Sequence, residues 1–292
     1  MKKHHHQTTD QQTRNPQRGS MVQWTVGGLL VLGALLMLLP FWTMLATSLA
    51  DPVTILQQSR PVLLPWPLHW ENYGRLFAQI PLARYLLNSV LVSVLTTLVH
   101  VLLCAMAAYA LSRLRFSGQA VVQMLCLLTL MVPPQVNIVP LFFLMKTLHW
   151  VNTYWALVVP GLFGAFGVFL FRQWFNGLPH ELEEAARLDG CNPWQIFWRV
   201  ALPLSLPPLA TLAIFVFIGS WNSFLWPLVV THSETLRTLP VGIASLKESF
   251  RDTTDWPLLM AASTVSVVPV MLVFAIGQRY LMDGLMAGSL KE

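Results

Sequence analysis

Six apolar stretches dominate this chain, at about 22–46, 86–111, 120–145, 153–171, 204–230 and 257–278, and none contains Asp, Glu, Lys or Arg. Each is near the ~20 residues that a helix needs to cross bilayer hydrocarbon. A soluble domain would need a charged surface, roughly 25% of its residues. Here only 11% are charged and 55% are hydrophobic. Six helices satisfying their own backbone hydrogen bonds in lipid are the economical solution. The expected fold is therefore all-α and polytopic, with six transmembrane helices in a domain over 22–292 and a disordered basic tail over 1–21. The first apolar run exceeds the 7–15 residues of a signal-peptide core, so it is expected to stay as a span.

Eleven of the 18 Lys and Arg fall in the tail, after span two, between spans four and five, and after span six. The positive-inside bias then places both termini in the cytoplasm. The net charge of +5 is spread along the chain without interleaved aromatics, and nucleic-acid binding is not indicated. Cys104, Cys126 and Cys191 have neither metal nor disulfide spacing. His4 to His6 sit in the tail and are not expected to bind a specific ion. No metal site is expected.

Several spans are interrupted. Pro133 and Pro134 break span three, and each Pro removes a backbone donor. Gly164 and Gly167 in span four leave room for another helix to come close. Pro207 and Pro208 open span five, which breaks again at Gly219 to Asn222. Asn88, Ser89, Gln135, Asn137, Trp221 and Asn222 are candidates for lining a translocation path; Thr96, Thr97, His100, Ser220, Ser223 and Trp226 lie at similar depth. Amides and hydroxyls beside aromatics suit neutral, hydroxyl-rich ligands, and each such residue could equally be packing glue between helices. Only His100 could serve an ion relay at midplane, so the energy source is expected outside this chain.

Between spans four and five lies a polar hairpin. Pro179 can open a helix, with Glu181, Glu183 and Glu184 at its positive end. Leu182, Ala185, Ala186 and Asp189 share a face, and the small Ala185 and Ala186 would let a partner sit close. Gly190 stands where a left-handed cap belongs. Asn192, Pro193 and Gln195 form the start signal of a second helix of about 11 residues. Ile196, Phe197, Val200 and Ala201 form an apolar stripe that predicts a partner. Pro203, Pro207 and Pro208 end it.

The run Glu184 to Gly190, nine residues, then Val200 to Pro203 resembles the EAA motif of ATP-binding-cassette import permeases. Asn72-Tyr73, Asn88-Ser89, Ala107 to Arg113, Trp221-Asn222 and Gly284 to Lys291 look like the carbohydrate-uptake branch, and the chain is similar to the smaller permease of maltose-type importers over roughly 22–292. Cys191 and Val200 are mild departures from that pattern. The resemblance implies that the hairpin is a coupling element docking on a cytoplasmic ATPase through Glu184, Ala185, Ala186, Asp189, Gly190 and Pro203, with Glu184 and Gly190 most tied to coupling. It also implies a second permease, usually in a heterodimer, two ATP-binding subunits and an extracytoplasmic solute-binding protein delivering a sugar. A bacterial inner-membrane location follows.

No catalytic residues are expected. The chain has no Gly-Lys dipeptide, hence no phosphate-cradling loop, and neither HExxH nor GxSxG. No cofactor is expected on this chain; ATP and Mg belong to the partner ATPases. A self-sufficient secondary transporter and an intramembrane enzyme are the alternatives, the latter with His100 beside Asn88 or Thr96 as its best set.

Overall fold

A computed structural model describes residues 16–57, 62–249 and 255–286. The expected tail falls largely on residues 1–15, outside the described residues. Helix α1 (Pro16–Ser48) starts at Pro16, so its first turns lie before the expected boundary at 21. Its described side chains are mostly exposed and apolar, such as Leu36 and Met37, as a lipid-facing helix requires. The short α2 (Pro52–Gln57) and α3 (Glu71–Gln79) lead to α4 (Leu82–Arg113), the longest buried helix.

Span three is two helices, α5 (Gln119–Thr129) and α6 (Ile138–Thr147), bent by 98° at the break. The cause is local. Pro133 is extended, with ψ of 130°, and Pro134 starts a single 3₁₀ turn over Pro134–Asn137. Span four is α7 (Tyr154–Val158), a 3₁₀ turn and α8 (Ala165–Gly177). Then come the hairpin helices α9 (Glu181–Leu188) and α10 (Pro193–Ile196), a π turn (Phe197–Ala201) and α11 (Leu202–Leu204). Span five is α12 (Leu206–Trp221) with α13 (Leu225–Val230) after a break at Asn222, as its Gly-Ser-Trp-Asn run predicts. The helix α14 (Leu239–Ser249) precedes α15 (Trp256–Met286), the last span. Among the described residues, four helical segments are long and apolar enough to cross a membrane, or six when each bent pair counts as one span.

α4 is the axle of the bundle: it packs on α8 and α12, while α15 packs on α1 and α12. The α4–α8 seam is unusually close. A Cβ on Gly164 would stand 2.9 Å from His100 Cε1, and one on Gly167 would stand 2.8 Å from both Cys104 Sγ and Leu212 Cδ2. The close approach expected at these two glycines is made, and polar bonds line it. The His100 Nδ1 donates to Gly161 O at 2.7 Å, and the Cys104 thiol donates to Gly164 O at 3.3 Å. Helices in lipid gain from such dispersion and hydrogen bonding, because burying apolar surface gains little there.

Candidate functional site

The hairpin is built by three local devices. Its first helix begins at Glu181, two residues later than a Pro179 start, and carries Glu181, Glu183 and Glu184 in the first turn. It ends at Gly190, whose φ of +82° is left-handed. There the Cys191 N–H bonds back to Ala186 O at 2.9 Å and the Gly190 N–H to Arg187 O at 3.0 Å, the two bonds of a Schellman cap. The second helix begins with a reciprocal capping box: Asn192 Oδ1 accepts the Gln195 N–H at 2.8 Å, and Gln195 Oε1 accepts the Asn192 N–H at 2.9 Å.

The helix from Pro193 then widens. The Leu202 N–H reaches back five residues to Phe197 O, because Pro203 crowds the preceding turn and has no N–H to offer. Ser205 has φ −94° and ψ 20°, and its hydroxyl donates to Ala201 O at 2.7 Å. With Pro207 and Pro208 next, the chain turns by 78° into α12.

Two expectations about the hairpin's faces change. Ile196, Phe197 and Ala201 are sealed inside this chain's own core with Tyr109, Phe171 and Phe175, so their stripe is covered from within. Ala186 joins the same core and offers nothing to a partner. Glu184, Ala185, Asp189, Gly190 and Pro203 are exposed. The hairpin also exposes Trp194, Trp198 and Leu188, the last 89% exposed. A leucine standing that far out, on the same hairpin as two exposed indoles, is apolar surface of the kind that marks an interaction site.

Sequence reasoning passed over what ties this hairpin to the spans. Arg113, the last residue of α4, lies 3.2 Å from Glu183 Oε1 by its Nε. Its Nη2 donates to Leu178 O at 2.7 Å and also to Phe175 O, and its Nη1 donates to His180 Nδ1 at 2.7 Å. The clue was an Arg closing an apolar span, readable only as loop charge without the partner.

At the other end of α4 the polar residues divide. Asn88 is satisfied: its amide donates to the carbonyls of Thr235 and Arg237 at 3.0 and 2.8 Å, and its Oδ1 accepts Tyr154 O–H at 2.7 Å. It pins the 233–239 loop and α7 to α4. Ser89 accepts the Leu239 N–H at 2.7 Å. Trp221 is fully buried and donates to Ser266 O at 3.1 Å, which makes it packing between α12 and α15 rather than a lining residue. Gln135 and Asn137 are exposed at the α5–α6 break, and Asn222 borders a separate cavity of about 420 Å³ with Ser263 and Ser266. The six path candidates therefore do not converge on one place.

A different set does converge. A cavity of about 370 Å³ lies between α4, the turn after α7 and the end of α12. Ser89, Ser93, Thr96 and His100 line it from α4, Gly219, Ser220 and Ser223 from span five, and Thr238 from the loop. Val92, Leu157, Val216 and Trp226 supply apolar walls. Spacing of four, three and four residues along α4 puts its four polar groups on one helical face, a signal present in the sequence but hidden among many Ser and Thr. Among the described residues, no group of His, Cys, Asp or Glu is placed to hold a metal ion.

Comparison with known proteins places this geometry. Residues 100–285 match the family described as binding-protein-dependent transport system inner membrane component. The chain is 39% identical over 232 residues to a probable ABC transporter permease, YurM, of Bacillus subtilis, covering 78% of this chain and 76% of that one. It is 40% identical to the arabinooligosaccharide transport permease AraQ of Halalkalibacterium halodurans (78% and 81% covered). It is 33% identical to the sn-glycerol-3-phosphate transport permease UgpE of Yersinia pestis (88% and 93% covered). Its fold matches a chain of a bacterial ABC transporter involved in import of the acidic polysaccharide alginate, with a TM-score of 0.79 at 24% identity, over 92% of this chain and 98% of that one.

Proposed function

This chain belongs to the binding-protein-dependent transport system inner membrane component family, and from that premise we propose that it is the permease subunit of an ATP-driven importer carrying a sugar or related polyol. Its spans hold no charge to couple to an ion gradient. The observation that carries the reading is the hairpin: a helix pair locked by caps, fastened to α4, with an exposed patch of Ala185, Leu188 and Trp194. In this reading the patch seats on a cytoplasmic ATPase, and Glu184, Asp189, Gly190 and Pro203 form its polar and turning edges. Both termini then lie in the cytoplasm. A second, different permease completes the path, two ATPase subunits supply ATP and Mg chemistry, and a binding protein delivers the solute outside. The arabinooligosaccharide relatives, at up to 40% identity, favour a saccharide cargo.

The test is a pair of variants in the assembled complex, Gly190→Leu and Leu188→Asp. Both should abolish solute uptake and uncouple the ATPase rate from solute while the complex still reaches the membrane. Full coupled transport by both would overturn the reading.

A further inference from the structure

The cavity on α4 has the features of a ligand site. Ligand pockets of about 300–1,000 Å³ are typically apolar with a few placed polar groups, and this one has about 370 Å³ and that lining. Three of its hydroxyls, Ser93 Oγ, Thr96 Oγ1 and Thr238 Oγ1, are buried and have no hydrogen-bond partner in the protein. As residues, Ser93, Thr96 and Thr238 are 1, 4 and 4% exposed.

Several other hydroxyls among the described residues find a partner in the backbone of the preceding turn. Ser112, Ser205, Ser263 and Thr264 all donate to the carbonyl four residues back, the ordinary resting place for a buried hydroxyl in a helix. Ser93 and Thr96 do not. Thr97 and Thr211 are also unpartnered but lie outside the cavity, so what distinguishes Ser93, Thr96 and Thr238 is that they converge on one space. A buried hydroxyl without a partner costs roughly 1–3 kcal/mol, which a ligand hydroxyl arriving there would recover.

The chemistry of the wall sets the ligand class. No Asp, Glu, Lys or Arg lines the cavity, so an anion has no counter-charge there. His100 already commits Nδ1 to Gly161 O. Trp226 commits its indole N–H to Ala156 O at 2.8 Å, which leaves the ring itself to the cavity. Hydroxyls that both donate and accept, beside an aromatic face, match alternating O–H and C–H surfaces.

We propose that this subunit carries its own intramembrane binding pocket for one neutral, polyhydroxylated ring, held by Ser93, Thr96 and Thr238 against Trp226. It rests on the permease reading and narrows it: the cargo is a neutral saccharide, and a phosphorylated polyol is refused at this point.

The test uses the full chain in lipid nanodiscs and saturation-transfer NMR, with arabinobiose, maltose and sorbitol as neutral probes and sn-glycerol 3-phosphate as the anionic one. At least one neutral probe should bind and the phosphate should not. The near-isosteric double variant Ser93→Ala with Thr96→Val should weaken binding about tenfold, the effect of roughly one hydrogen bond. Gly219→Leu adds bulk at a residue that lines the cavity, from a position where an added Cβ meets nothing within 4 Å, and it should abolish the signal. A probe that binds the Gly219→Leu chain as well as the parent overturns the proposal. So does absence of binding by all three neutral probes, or equal binding by the phosphate. The hairpin variants decide the permease reading separately: a chain that fails here but uncouples on Gly190→Leu is a permease without this pocket.

Discussion

Arg113 and Glu183 form an ion pair at 3.2 Å, with side chains 1 and 8% exposed, between the end of α4 and the first turn of the hairpin. Arg187 adds a second, looser contact to Glu183 at 3.8 Å from an exposed position. Removing one member of a buried pair leaves an uncompensated charge, at a cost of about 3–5 kcal/mol. Arg113→Ala should therefore lower the midpoint of thermal unfolding sharply. Arg113→Lys should rescue little, since a point charge cannot also reach the Leu178 and Phe175 carbonyls. The double change Arg113→Met with Glu183→Gln should be milder than Arg113→Ala alone. Thermal unfolding of the purified chain in detergent reads all three.

Gly190 should be unforgiving for backbone reasons. A Cβ there meets nothing within 4 Å, yet φ is +82°. Gly190→Ala should loosen the hairpin by about 1–2 kcal/mol, the cost of a left-handed L-residue. Faster hydrogen exchange at the Cys191 amide would report it. Asn192→Ala should cost about 1 kcal/mol by removing the second helix's cap.

Gly167→Leu should split α4 from α8. A Cβ alone would press on Cys104 Sγ and Leu212 Cδ2 at 2.8 Å, and overpacking of this kind costs typically 1–3 kcal/mol. Loss of folded protein from the membrane fraction is the expected readout, with Gly219→Ala as the matched control that leaves yield unchanged.

Leu188→Asp should leave stability within about 0.5 kcal/mol, as surface changes do, while abolishing coupled uptake. A large loss of thermal stability would instead mean that Leu188 packs within the chain.

The spans and the hairpin were legible because their signals are local. Charge-free runs, a Gly in cap position and the Asn192-Pro193…Gln195 pattern each specify backbone within a few residues. The site was less legible because its meaning is relational. Asn88 is an amide at membrane depth by sequence, but its role depends on carbonyls some 150 residues away. Trp221 was a plausible aromatic wall until α15 covered it. The stripe of Ile196 and Phe197 implied a partner, and the partner is this chain's own Tyr109 and Phe175. Ser93 escaped notice because a lone hydroxyl in an apolar run has a silent alternative, the bond to its own helix, and Thr238 because it sits in a loop outside every span.

The 78° turn at Ser205 makes the hairpin and α12 one bell crank. The arm beyond the pivot has 16 residues, or ~24 Å at 1.5 Å per residue. By that length, rocking the crank through ~10° carries the far tip sideways by roughly 4 Å. The tip carries Gly219 and Ser220, which line the cavity. A small push on the short arm is thus geared up into a displacement wider than a water molecule at the place where the chain is hollow.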